Sequence, residues 1–174
     1  MKKESSTKFL KLCLADALLK MMETQNYDSI NITAVCEQAG VGRTTYYRYF
    51  DKKSSKEDLL VFKLVHEWKA YNEKHKEEAA KDGTMEMLRF AYENRTLFRR
   101  MYKNGLVTAI MKVFDEVSDW TEEKNTAYLR AFFVYGYFGV VYQWIKYDFD
   151  ETPEQIQKHI AETILKAVAN DQNN

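Results

Sequence analysis

The sequence predicts an all-α chain, on three observations. There is one proline, Pro153, and the six glycines are spread over positions 40, 42, 83, 105, 136 and 139, so few points interrupt a helix. Apolar residues recur at three- and four-residue intervals, as in Leu10, Leu14, Ala17, Leu18 and Met21, which is the spacing of one helix face. No stretch alternates apolar and polar residues as a half-buried strand would.

Each element follows from local signals. The periodic run gives a first helix over about 6–24. "NYDSI" breaks the pattern, and Asn31 is placed to cap a short second helix over 32–39, with Val35 and Cys36 inward. Gly40 supplies a turn, and a third helix covers about 43–50. Ser54 and Ser55 stand three residues ahead of Glu57 and Asp58, a capping box that opens a fourth helix to about 81, closed by Gly83. Shorter helices follow over about 84–93, 95–103 and 106–118. Thr121, Glu122 and Glu123 open another to about 147, roughly 40 Å long. "TPEQ" offers a Thr cap, Pro153 at the first helical position and Gln155 at the third, starting a last helix to about 169. Residues 1–53 then form a small N-terminal domain and 54–174 a larger C-terminal one.

With 174 residues, 45% of them hydrophobic, the chain can bury a real core. Its net charge of zero advertises no global field, yet basic residues cluster. Arg43, Arg48, Lys52, Lys53 and Lys56 face only Asp51, and Lys2, Lys3, Lys8 and Lys11 face only Glu4. A local basic face binds phosphate where the total does not suggest it. No signal peptide and no run of 18 apolar residues is found, so a soluble, cytoplasmic chain with no membrane span is expected. Cys13 and Cys36 fit no metal or redox spacing, and His66, His75 and His159 form no ligand set. No nucleophile motif, phosphate loop or dinucleotide fingerprint is present. The expectation is a protein that is not an enzyme and needs neither cofactor nor metal.

The stretch "AGVGRTTYYRYF", residues 39–50, is unusual for a plain surface helix because it mixes arginines, threonines and aromatics with no acid. Two short helices around "AGV" form a helix-turn-helix pattern, with small Ala39 at the crossing and Val41 tucked beneath. The second helix of such a unit enters the major groove of double-stranded DNA. Arg43 can donate a bidentate pair to guanine, and Thr44 and Thr45 can meet a thymine methyl or a phosphate. The tyrosine hydroxyls, Tyr46 included, and the following lysines can hold the backbone. The plainer alternative packs Tyr46 and Phe50 against the first helix.

"INITAVCEQAGVGRTTYYRYF" followed by "SKEDLL" resembles the N-terminal domain of the TetR family of bacterial transcriptional regulators, over about residues 8–60. The resemblance implies a three-helix DNA-binding domain, a helical C-terminal regulatory domain and a homodimer on a palindromic operator. It places Asn31 and Thr33 at the start of the support helix. Gly42, Arg43, Thr44 and Thr45 fall where family members touch bases and nearby phosphates, and Tyr47 matches a phosphate-binding tyrosine. Gly42 stands where the family often has Ser. The link between "YF" and "KE.L" is about three residues longer than usual. Lys53 therefore matches the family's phosphate lysine by distance from Phe50 and Lys56 by local context, and both stay open.

"YENRTLFRRMY" and "YGYFGVVYQWIKYDFDETPEQI" are diffusely similar to regulators of dihydroxyacetone-kinase operons. The aromatics beyond residue 84 raise the possibility of an apolar effector pocket lined by Phe98, Met101, Tyr102, Phe133 and Tyr137, although aromatics at helical spacing more often fill core and dimer seam. Gly136 and Gly139 interrupt a long helix at about 1 kcal/mol each, a cost that close approach of another helix offsets. A four-helix dimer interface through Gly136, Gly139, Val140, Ile160 and Ile164 is expected. The function expected is a repressor controlled by a small molecule. The alternative is a dimer whose C-terminal domain is controlled by a protein partner, as a co-activator or interaction module.

Overall fold

The computed structural model describes residues 2–50, 55–118 and 123–171. These form α1 (Lys2–Met21), a 3₁₀ turn (Tyr27–Ser29), α2 (Ile32–Ala39), α3 (Arg43–Tyr49), α4 (Glu57–Lys74), α5 (Lys76–Glu93), α6 (Arg95–Lys103), α7 (Val107–Val117), α8 (Lys124–Lys146) and α9 (Pro153–Asp171). The described residues contain no strand, and none of their helices is long and apolar enough to cross a membrane.

The caps expected for α2 and α9 are in place, while Ser54 and Thr121 lie outside the described residues. The Asn31 carboxamide oxygen accepts from the Ala34 N–H at 2.9 Å, supplying a partner for one of the free donors of the first turn of α2. Gly40 ends α2 in the left-handed region at φ 65°, and Val41 N–H reaches back to the Cys36 carbonyl at 2.9 Å. A side chain at that φ would be strained, which is why glycine stands there. Ahead of α4 only half of the expected box forms: Asp58 accepts from the Ser55 N–H at 2.7 Å, and the N-cap position falls on Lys56 with no side-chain cap. Thr152 and Gln155 cap α9 reciprocally, at 3.3 and 2.7 Å.

One boundary is corrected. The fourth helix does not run to about 81 but stops at Lys74, because His75 leaves helical backbone at φ −108°, ψ 29°. The chain then enters α5, which breaks at Asp82, φ −151°, ψ 81°, at the boundary expected between about 81 and Gly83. "NEKHKEEAAKD" is polar on every side, so its periodicity cannot distinguish one long helix from two segments that fold back. The reversal is held by polar contacts. Tyr71 donates to Glu86 at 2.8 Å, Arg89 donates to its other oxygen at 2.8 Å, and the His75 ring stacks on Tyr71. Glu86 is thereby buried with both oxygens satisfied.

A continuous core joins the elements. Leu14 and Leu18 of α1 meet Val35 of α2 and Tyr46 of α3, and the cluster continues through Leu59, Leu60 and Leu64 of α4 to Phe98, Met101 and Ile110 of α6 and α7. The leucines among these are fully buried, each stabilising the fold by about 2 kcal/mol relative to exposure. α4 packs against both α1 and α7, so it connects the first three helices to the rest. Arg100 of α6 adds a polar tie, donating to the Leu19 carbonyl at 2.9 Å and pairing with Glu23 at 3.2 Å. α8 turns Val141, Trp144 and Ile145 inward, while α9 lies along α5.

Candidate nucleic-acid interface

The site is built on α3, whose inner face fixes its outer one. Tyr46 is 1% exposed and stacks on Phe50 with ring centroids 5.1 Å apart. Val41 is buried beneath the turn. With these anchored in the core of α1 and α2, the opposite edge of α3 carries Arg43, Thr44, Tyr47 and Arg48, which line an open concavity of about 650 Å³. These four are exposed. Their spacing (i, i+1, i+4, i+5) puts two guanidinium groups, a hydroxyl and a phenol on one face. That donor set can pair with phosphate oxygens and with the acceptor edge of guanine.

The structure sorts the expected contact residues. Arg43, Thr44 and Tyr47 lie together on the outer face, with Gly42 exposed at the helix start and Thr45 half-buried beside them. Thr33 is half-buried in the first turn of α2, and Asn31, exposed, has its side-chain oxygen engaged as the cap. Two expectations are corrected. Tyr46 points inward, so the plainer reading of core packing describes it. Burial, with a smaller push from Tyr47, raises its phenol to about 12. Lys56 also turns inward, donating to the carbonyls of Tyr27 and Ile30 and lying 4.1 Å from the Tyr27 ring centroid. Lys53 lies outside the described residues. Arg48, noted in the sequence only as part of the basic run, joins the face, and its helical spacing from Thr44 was the signal that could have found it.

The five residues expected to line an effector pocket do not line one cavity. Phe98 and Met101 are core residues, and Phe98 borders a void of about 20 Å³. Tyr102 meets Tyr142 edge-on, and Tyr137 packs half-buried on the core. Phe133, with Leu129, borders an adjoining cavity of about 390 Å³ that shares Trp68, Met87 and Val117 with the Phe98 void. That cavity lies between α4, α5, α7 and α8.

Of the expected dimer residues, Gly136 and Gly139 are exposed, with nothing within 4 Å of an added Cβ. Val140 and Ile160 are half-buried, and the Ile164 side chain lies outside the described residues. α8 also exposes Tyr128 (65%), Phe132 (73%) and Tyr135 (42%) along the same stripe as the glycines. No group of three or more potential metal ligands is found among the described residues.

Comparison with known families agrees with this geometry. Residues 14–61, which contain the second part of α1, α2, α3 and the start of α4, match the model described as bacterial regulatory proteins, tetR family. Residues 78–166 match one described as transcriptional regulator C-terminal region. No curated protein matches the chain. The helix-turn-helix, its exposed basic face and the two matches together make the chain a DNA-binding transcriptional regulator, a member of the TetR family.

Proposed function

We propose that the chain is a homodimeric repressor that binds a palindromic operator and releases it when a small molecule occupies its C-terminal region. The observation that carries this reading is the outer face of α3, where Arg43, Thr44, Tyr47 and Arg48 are exposed together on a helix anchored by buried Tyr46. A rigid helix presenting bidentate donors beside a phenol suits major-groove readout with phosphate positioning. The exposed stripe on α8 supports pairing with a second copy, since contiguous apolar area of this kind is rarely left to water. Two recognition helices about 34–36 Å apart then enter successive major grooves.

The cavity beside Trp68 supports effector control. It is lined by apolar side chains from α4, α5, α7 and α8. A ligand there pushes on α4, which packs on α1 and moves the recognition helix with it. A shift of α4 in each protomer changes the spacing of the two recognition helices, and binding to both half-sites weakens together.

The test is binding of the purified protein to a labelled fragment of its own promoter across a salt series, beside Arg43→Ala. Saturable binding that Arg43→Ala weakens by about 1–3 kcal/mol on the specific site alone supports the reading. Binding that is equally weak on every fragment, with a stoichiometric protein co-purifying, supports control by a protein partner instead.

A further inference from the structure

A second concavity, of about 560 Å³, shares no lining residue with the Trp68 cavity and is bounded by the start of α1, the middle of α4 and the end of α7. Its floor is Phe62 and Val65, and its rim carries Lys8, Lys11 and Lys69 against a single acid, Glu116. Among the described residues none of the three lysines pairs with a carboxylate. Elsewhere in the chain Lys63 pairs with Asp16 and Glu67, and Lys112 with Asp58. Three unpaired ammonium groups around an apolar floor are therefore a local excess of positive charge over a surface that water solvates poorly. The His66 imidazole, which also lines the groove, is held below its usual value by burial and then by Lys8, as expected in a positive field.

Lys11 has a further role in this geometry. Its ammonium lies 4.8 Å from the Phe50 ring centroid and 4.9 Å from that of Phe62. It is held by two ring faces, contacts worth less than an ion pair with a desolvated carboxylate. Phe50 closes the recognition helix, and Phe62 belongs to α4. A carboxylate that drew Lys11 into the groove would lift a contact from both.

We propose that this groove binds a small organic anion, a carboxylate carrying a flat or aliphatic apolar body, with the body on Phe62 and Val65 and the carboxylate between Lys11 and Lys69. The chemistry selects against a bare inorganic anion, which gains nothing from the floor, and against a neutral apolar molecule, which leaves the ammonium groups unpaired. The site is separate from the Trp68 cavity and does not depend on that cavity's being an effector site.

The experiment is isothermal titration of the full chain with two carboxylates, naphthoate and octanoate, beside the neutral isostere naphthylmethanol. At least one carboxylate is expected to bind saturably at one per chain, with the neutral isostere about tenfold weaker or worse. Lys11→Met and Lys69→Glu should each weaken the carboxylate by about tenfold or more. Lys69 is exposed, so Lys69→Glu tests the charge without disturbing the fold, and matched melting curves check this for both variants. Phe133→Ser, in the other cavity, should leave the affinity unchanged. The proposal is overturned if neither carboxylate binds, if the lysine variants bind as the parent does, or if Phe133→Ser is the substitution that removes binding.

Discussion

Lys56 donates from Nζ to the Tyr27 carbonyl at 2.6 Å and lies over the Tyr27 ring, tying the start of α4 to the turn ahead of α2. Burial lowers the pKa of the ammonium group, a cost offset by two carbonyls and a ring face. The lysine is thus a brace within the DNA-binding unit. Lys56→Met should destabilise the protein by about 1–3 kcal/mol, read from urea unfolding. It should leave the slope of log affinity for DNA against log salt unchanged, whereas Arg48→Ala should reduce that slope by about one. A reduced slope for Lys56→Met would show that the side chain leaves its brace to meet phosphate.

Tyr46 and Tyr47 are neighbours with opposite expected behaviour. The Tyr46 hydroxyl is buried with no hydrogen-bond partner among the described residues, so Tyr46→Phe removes an unsatisfied polar group. Stability should be unchanged or higher by about 1 kcal/mol, with DNA affinity intact. Tyr47 is exposed on the outer face of α3 proposed to meet DNA, and Tyr47→Phe should weaken DNA binding without altering the melting temperature. Alkaline pH separates the two further. The folded Tyr46 phenol titrates near 12 and the unfolded one near 10, so the unfolded chain releases its proton first and stability falls between these values. The loss amounts to about 2–3 kcal/mol. Tyr46→Phe should flatten that part of the pH–stability curve, and an unchanged curve would mean that the phenol is solvated in the folded chain.

What the sequence made legible were features with a local cause. Asn31, Gly40 and the Thr152–Gln155 pair act through backbone within a few residues, so their caps were read at the right positions. The face of α3 was half legible. Its composition announced DNA contact, but Tyr46 and Tyr47 are the same residue type, and only the position of α1 and Phe50 decides which one points inward. The choice between Lys53 and Lys56 stayed open for the same reason, since Tyr27 lies 29 positions from Lys56 and a family pattern records spacing rather than the partner that claims the charge. The break at His75 lies between Tyr71 and Glu86, which meet across the chain's return beyond Asp82. A uniformly polar run carries no trace of that. Phe98 and Phe133 were grouped by type, and packing places them on two adjoining cavities that share Trp68, Met87 and Val117.

Asp82 shows how one residue can set a helix break and an interhelix contact together. One carboxylate oxygen accepts from the Met85 N–H at 3.0 Å, capping the second half of α5, and the other accepts from Gln157 of α9 at 2.6 Å. The Met85 N–H first, and then Gln157, hold the carboxyl below its usual value. A depressed carboxylate contributes stability that is present above its ordinary pKa and lost as pH falls through the lowered one. Asp82→Ala should cost about 1 kcal/mol at neutral pH, the usual value of a lost cap. That deficit should shrink as pH is taken below about 4. Urea unfolding at both pH values checks it, and a deficit independent of pH would assign the effect to backbone propensity alone.

The stripe on α8 makes opposite demands on the isolated chain and on a dimer, which is what makes it testable. Nothing lies within 4 Å of a side chain added at Gly136, so within one chain Gly136→Leu has room and gains about 1 kcal/mol of helix propensity. In a dimer packed through this face the same leucine occupies the space of the partner helix. Gly136→Leu and Phe132→Arg should therefore keep native helix content while sedimentation equilibrium shifts toward monomer. Operator affinity should fall much further than binding to an isolated half-site, because linked half-sites multiply their affinities. If both variants sediment as the parent does, the exposed aromatics of α8 are not the seam between subunits, and pairing must use another surface.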